Sequence, residues 1–362
     1  MRVLLGINRL WRGGGTETHV MTLADRLKKM GHRVVIFTSG GGWVQKARNL
    51  GIPVHVERDL RSSTSKGQQA FRKFVRINQF DLVHVHDGPT LGLASRALVG
   101  RKDMPPIVYT LHGSYVGMST LLQASRKAKA IICVSPTMRR TFLRKVPTVP
   151  GKVTVVSNGI RGDVFHPSAA SGRAFRMTHK IPLNAFVIGY SARFTFDKTE
   201  LGRRVVRVLR RYVKNNPNVH VVVAGRNSKN VVSPESRLHV LGHVEDMQNY
   251  YNACDALIGT ARVATEGIAC GVPTICIGKG GFHGRVTSEN LTRMFRTNFG
   301  DHSTTVYWKN VDLLREIRAF QRDRTAIVTE TGNVRARVIR RLSAEQMARR
   351  TELVYKQAVR AN

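Results

Sequence analysis

The stretch CDALIGTARVATEGIACGVPTICIGKGGFHG, residues 254–284, decides how this chain folds. Its apolar triplet at 256–258 reads as a strand end, 265–270 as one or two helical turns, and 273–277 as a second, β-branched strand. Glu266 is the one carboxylate on the small-residue segment between the two strands, and such a group needs a partner where it is buried. Gly278, Gly280, Gly281 and Gly284 leave backbone N–H groups uncovered. A carboxylate near a helix start beside such donors makes a place for a ribose hydroxyl and a phosphate.

Working outward, the same strand-helix alternation fills the chain. Strand-like runs at 2–7, 34–38, 54–56, 82–85, 107–111, 130–134 and 153–156 alternate with helical segments such as 17–29 and 67–78. A second series runs through 187–190, 219–224, 238–241, 256–258 and 274–277. Short turns between such runs predict α/β architecture with two doubly wound parallel sheets, each binding ligands beyond the carboxyl ends of its strands. The Ser- and Gly-containing stretch 167–182, with prolines at its edges, reads as a linker. The expected organisation is therefore a first domain at 1–167, a linker at 168–182, a second domain at 183–342 and a terminal helix at 343–362. Ser343 and Gln346 open that helix with the spacing of a capping box. Arg193 and Lys198 follow the run 187–190, two cations suited to neutralising a diphosphate.

These residues carry a resemblance. Glu266-Gly-Ile-Ala-Cys-Gly-Val-Pro is similar to the E-A-M-A-x-G-x-P segment of retaining GT-B glycosyltransferases of the family 4 (group 1) type, and Arg193 with Lys198 stands at that family's R-x4-K pair. Gly14, Gly15, Glu17 and His19 match its G-G-x-E-x-H turn, and 31–35 its G-H-x-V. The segments 81–86, 111–113, 134–135 and 158–160 fall in the family's order, so the resemblance covers nearly the whole chain. It implies two Rossmann-like doubly wound domains facing each other across a cleft, with the terminal helix crossing back to the first.

The resemblance also implies roles. Arg193 and Lys198 would neutralise the departing diphosphate, Glu266 would hold the ribose hydroxyls, and His243 and Val244 would lie along the base. His112, at the end of the run 107–111, matches a histidine that contacts the transferred sugar. Gly14 and Gly15 belong to the donor side, and Glu17 and His86 to the acceptor side, although strand alternation alone accounts for one of His84 and His86. The nucleotide is expected to be uridine diphosphate, from family habit. The glycine run lacks G-x-G-x-x-G spacing and a Walker lysine, which argues against nicotinamide and P-loop readings. No D-x-D is present, so neither an obligatory metal nor any cofactor beyond the nucleotide-sugar substrate is expected. One departure stands out. The position of the family's second glutamate, counted back from Glu266, falls on Ile258 inside a strand, and the loop before Glu266 is shortened. Arg262 stands in that loop, either touching sugar or phosphate or forming a structural salt bridge.

Composition constrains the rest. The chain of 362 residues, 42% hydrophobic, is long enough for two cored domains. Its four cysteines are scattered without C-x-x-C spacing, as expected of reduced core thiols. No apolar run is long enough to span a bilayer and the start enters a strand at once, so the expectation is a cytoplasmic protein, peripheral on the inner membrane face. Charge is the outlier: 59 Lys plus Arg against 23 Asp plus Glu gives +36. Cations cluster at Arg72, Lys73 and Arg76; at 126–129; at 139–145; at 203–214; and at 335–350. Any one cluster reads as a solvated helix face, but together they favour a polyanionic partner, an anionic membrane surface or DNA. Three readings follow: transfer of sugar to an acceptor in cell-envelope glycan or lipid synthesis, DNA-modifying transfer to hydroxylated bases, or a non-catalytic, coat-like protein on a degenerate transferase. A sugar-nucleotide epimerase shares the architecture.

Overall fold

In the computed structural model, which describes residues 1–58, 65–101, 103–302 and 306–361, the chain forms two compact units. Unit 1 comprises Met1–Gly159 and Ala344–Asn362, and unit 2 Ile160–Ser343. Unit 1 runs β1 (Arg2–Gly6), α1 (Gly15–Lys29), β2 (Arg33–Thr38), α2 (Val44–Asn49), β3 (Val54–Val56), α3 (Ser65–Ile77), β4 (Leu82–Val85), α4 (Gly88–Leu98), β5 (Ile107–Leu111), α5 (Met118–Lys127), β6 (Ala130–Cys133), α6 (Pro136–Lys145) and β7 (Val153–Val155). Its seven strands are ordered β3-β2-β1-β4-β5-β6-β7, and every pairing is parallel.

Burial on both faces explains why these strands are nearly unbroken apolar runs. Along β1, Leu4 packs with Phe71, Leu91, Leu121 and Phe142 of α3 to α6. Val3 and Leu5 point the other way, against Val20, Leu23 and Leu27 of α1 and Met347 and Tyr355 of the terminal helix. Period-two alternation thus feeds two cores from one strand.

Unit 2 continues with α7 (Ala169–Thr178), β8 (Phe186–Ser191), α8 (Phe196–Lys214), β9 (Val219–Ala224), α9 (Ser228–Val231), β10 (Leu238–Gly242), α10 (Met247–Asn252), β11 (Ala256–Ile258), α11 (Arg262–Ala269), β12 (Thr274–Gly278), β13 (Gly281–Arg285), α12 (Leu291–Arg296), α13 (Asn310–Arg322) and α14 (Arg324–Leu342). The order is β10-β9-β8-β11-β12-β13, parallel except for β13. Strand order reverses between β1 and β4 in unit 1 and between β8 and β11 in unit 2. Such switch points are where open α/β sheets take ligands. The chain returns to unit 1 as α15 (Ala344–Arg360), which packs on α1 through the Arg26–Glu345 ion pair, while the His32 ring, just past α1, lies 3.3 Å from the Glu352 carboxylate.

Two elements differ from the sequence reading. The stretch 167–182 is no irregular linker, because it contains α7. Ser168 caps that helix by accepting from the Ser171 N–H, and Gly172 lets the helix approach the Asn252 carbonyl, where a Cβ would collide. Residues that cap and pack a helix had the composition of a linker. The second difference is β13, an antiparallel strand formed by the glycine-rich segment after β12.

Candidate active site

In unit 2 the strands flanking the switch point, β8 and β11, lead into four of the expected donor-side residues, Arg193, Lys198, Arg262 and Glu266. The loop after β8 carries Arg193, which is exposed, and Lys198 lies in the first turn of α8. The loop is held down by the Phe194 N–H donating to the Arg226 carbonyl, and by Gly225, where a Cβ would overlap the Ala192 carbonyl. Lys198 Nζ is 3.1 Å from Asp301 Oδ1. Burial alone would raise the Asp301 carboxyl, but the Lys198 ammonium, with His302 and Arg193 adding to it, holds it below the usual range. Asp301 was absent from the sequence reading. It is presented by Asn298, Phe299 and Gly300, three successive residues of positive φ (52°, 53° and 86°), and only Asn298 and Gly300 hint at that turn in sequence.

After β11, Glu266 sits in the second turn of α11 and is only 4% exposed. Arg262 Nη1 lies 3.2 Å from its Oε1, and the Tyr251 hydroxyl donates to Oε2 at 3.2 Å. Burial raises the Glu266 pKa, and Arg262 and Tyr251 oppose that shift. Of the two readings of Arg262, the structure contains the ion pair. Tyr251, from α10, was missed in sequence because it reads as core aromatic. The shortened loop 259–261 is strained: Ala261 has φ 50° and ψ −120°, a region in which a non-glycine residue is costly. It is also tightly packed, since a Cβ on Gly259 would overlap Val263 and one on Gly278 would meet Thr260 Cγ2 at 2.6 Å.

Other expectations for this unit need correcting or refining. Gly280 and Gly281, expected to leave N–H groups uncovered for a phosphate, turn the β12–β13 hairpin. The Gly280 carbonyl accepts from Val306 N–H, and Gly281, at φ 90°, approaches Val306 so closely that a Cβ would overlap its carbonyl. The hairpin and the Val306 bridge account for these glycines through chain packing. His243 is exposed just past β10, and Val244 packs at the edge of an apolar cluster with Tyr251 and Leu257.

In unit 1 the corresponding place is lined by histidines. Gly14 is the N-cap of α1 and Gly15 its first residue, and the Glu17 carboxylate folds back so far over Gly14 that a Cβ there would overlap it. His19 follows one turn later, with Nδ1 2.9 Å from Asn158 Oδ1. His86 follows β4, and its Nδ1 is 3.2 Å from Nε2 of His112, which follows β5. His84 is structural: its two ring nitrogens meet the Tyr355 hydroxyl at 2.6 Å and Thr110 Oγ1 at 2.7 Å. Burial drives the pKa values of His84 and His86 well below that of free imidazole, and the neighbouring histidines add to the shift. Asp87 ties the switch point together by accepting from the Thr90 and Asn8 N–H groups.

Family models account for both units: the Glycosyltransferase Family 4 model matches residues 13–163 and the Glycosyl transferases group 1 model residues 185–298. The chain belongs to glycosyltransferase family 4. The family is retaining and metal-independent, and its members use nucleotide-sugar donors, so this glycosyltransferase is an enzyme of that class. It is 24% identical over 328 residues to the phosphatidylinositol N-acetylglucosaminyltransferase gpi3 subunit of Schizosaccharomyces pombe, covering 81% of this chain and 69% of the relative. It is 22% identical over 232 residues to the UDP-Gal:alpha-D-GlcNAc-diphosphoundecaprenol alpha-1,3-galactosyltransferase of Escherichia coli, covering 56% of this chain and 59% of the relative. Among solved structures, Alr3699/HepE of Anabaena in complex with UDP and glucose superimposes with a TM-score of 0.78 at 19% identity, covering 99% of this chain and 100% of that one. The fold of the glycosyltransferase is thus GT-B-like.

The charge excess is partly consumed by the fold. On α8, Arg204 stacks on Trp308 at 3.8 Å and Arg210 pairs with Glu235 at 2.7 Å, while Arg335 of α14 donates to the Ala269 carbonyl. On unit 1, Lys73, Arg76, Arg126, Lys127, Lys129, Arg140, Arg144 and Lys145 are exposed on or beside α3, α5 and α6, helices that cover one sheet face. Tyr115 and Met118, 68% and 49% exposed, stand at the start of α5, and Val149, 70% exposed, follows α6. No helix of the described residues is long and apolar enough to cross a membrane.

Proposed function

We propose that this glycosyltransferase moves a sugar, with retention, from a UDP-sugar to an acceptor hydroxyl carried at an anionic membrane surface, in cell-envelope glycan or lipid synthesis. The observation that carries the donor half is the position of Arg193 and Lys198 after β8 and of Glu266 after β11, the two strands that flank the switch point of the second sheet. Glu266 holds the ribose hydroxyls through its carboxylate, which Arg262 and Tyr251 keep in one orientation. Arg193 and Lys198 meet the diphosphate, Lys198 exchanging Asp301 for phosphate oxygen. As the bond from the anomeric carbon to the phosphate oxygen breaks, charge accumulates on that phosphate, and preorganised cations there lower the barrier. The acceptor oxygen bonds to the anomeric carbon on the same face, and its proton passes to the departing phosphate, so no protein base is needed. His112 contacts the sugar, and Gly14, Gly15, Glu17 and His86 line its surroundings.

The membrane reading of the acceptor is favoured by exposed cations on α3, α5 and α6 with Tyr115, Met118 and Val149 beside them, since cations attract anionic headgroups and apolar side chains enter the interface. Two relatives by sequence also carry lipid-linked acceptors in their names. The test is a turnover screen with UDP-, GDP-, ADP- and TDP-sugars, each alone, with anionic vesicles and with duplex DNA. Turnover of a UDP-sugar stimulated by vesicles is expected. Stimulation by DNA alone would transfer the acceptor to hydroxylated bases, and silence with every donor would overturn the enzymatic reading.

A further inference from the structure

The three histidines that converge in unit 1 come from different elements: His19 from α1, His86 from the end of β4 and His112 from the end of β5. One nitrogen from each lies within 4.8 Å of the other two. Ring centroids are 4.7 Å apart for His19 and His112, 5.4 Å for His19 and His86, and 5.5 Å for His86 and His112. Three imidazoles on one tetrahedral ion, with metal–nitrogen bonds of about 2.0–2.1 Å, place their centroids roughly 5 Å apart. With the centroids so placed, ring rotation is what closes the nitrogens from within 4.8 Å to the roughly 3.3 Å of a tetrahedral ion.

We propose that His19, His86 and His112 form a three-nitrogen site for one zinc-class divalent cation, with a fourth position open to water or substrate. Three features support it beyond proximity. His19 and His86 are 1% and 3% exposed, and His86 Nδ1 lies 3.2 Å from His112 Nε2, close to the roughly 3.3 Å that separates two nitrogens on one tetrahedral ion. The His19 Nδ1 contact with Asn158 Oδ1 is the arrangement in which the second nitrogen of a ligating histidine is oriented by an oxygen. Burial also favours neutral imidazole, the form that ligates. His84 is excluded as a ligand because both its nitrogens are engaged by Tyr355 and Thr110.

Because the family is metal-independent, the ion serves no step of transfer. It occupies His112, so binding inhibits. This consequence rests on the proposed contact of His112 with the sugar, whereas the metal site itself does not.

The two are separated by experiment. The full chain, stripped with chelator, is titrated with Co2+ and then with Zn2+. One Co2+ per chain with the intense visible absorption of a four-coordinate site, displaced by Zn2+, is the expected result. His86→Gln and His19→Gln should each weaken binding by at least tenfold, while His166→Gln leaves it unchanged, with circular dichroism confirming that each variant is folded. Binding without four-coordinate absorption, or equal binding by the wild type and both site variants, overturns the site. Where the absorption is present, Zn2+ should reduce sugar transfer in proportion to occupancy and chelator should restore it. Full transfer by the zinc-loaded chain would leave the site standing and overturn the role of His112.

Discussion

The two switch points solve the same topological problem with opposite chemistry. In unit 2, Lys198 with Asp301 and Arg262 with Glu266 are ion pairs, with Arg193 a further cation. In unit 1, the glycine turn, Glu17 and a set of histidines take the equivalent place, two of those histidines held neutral by burial. The first arrangement suits a ligand that brings formal charge, such as a diphosphate. The second suits neutral hydroxyls, which need directed hydrogen bonds and lose little by leaving bulk water. On the proposed reading, the contrast assigns the burden of electrostatic stabilisation to unit 2 and that of orientation to unit 1.

The hardest way to break that comparison is to remove a cation. Lys198→Ala should lower turnover by about 10²–10³, the cost of losing one group that stabilises transition-state charge. Steady-state kinetics on the preferred donor would detect it, and retained turnover would sink the assignment of unit 2. Next comes His112→Ala, expected to cost roughly tenfold to a hundredfold in kcat with a smaller change in donor affinity, since an orienting contact acts more in the transition state than in the ground state. If donor affinity alone fell, His112 would have to be moved to ground-state binding.

Much of this was legible in the sequence, and the part that was not has physical reasons. Strands such as β9 and β11 read directly, because apolar runs buried on both faces carry a strong signal. Arg193, Lys198 and Glu266 stood out in sequence through the R-x4-K and E-A-M-A-x-G-x-P resemblance, and the fold sets them after β8 and β11. Asp301 was not, because it lies 103 residues from Lys198 along the chain and only the fold brings them together. The site-forming side of His19 was hidden likewise: it looks like a helix residue until β4 and β5 set His86 and His112 beside it. The β12–β13 hairpin was misread because glycines that permit close backbone approach and glycines that expose backbone donors look alike in sequence.

That last ambiguity yields a prediction of smaller size. Gly281→Ala must seat a Cβ against the Val306 carbonyl at a φ of 90°, and overpacking with backbone strain costs about 1–3 kcal/mol. A lowered thermal midpoint with donor turnover preserved at low temperature is expected. Loss of donor binding with the midpoint unchanged would return Gly281 to the phosphate.

The smallest effect comes from acid and bears on unit 1. His84 and His86 have folded-state pKa values well below 6.5, near which they titrate in the unfolded chain. Between those values the unfolded state binds more protons, so stability rises with pH there. The contribution is complete above about pH 6.5 and is lost as pH falls toward the folded-state values, by roughly 1 kcal/mol per histidine for each pH unit. Other histidines shifted the same way by burial, including His220, half-buried His239 and His283 of unit 2, add to the slope in the same sense. The discriminating quantity is therefore the change in slope: denaturant unfolding between pH 5 and pH 7 should show a shallower dependence for His86→Gln than for the wild type, whatever the offset in absolute stability. An unchanged slope would mean that His86 takes up protons equally in the folded and unfolded chains, with no shift from burial. In the metal-free chain, an imidazolium at that position would carry charge into unit 1 and remove the contrast between the two switch points.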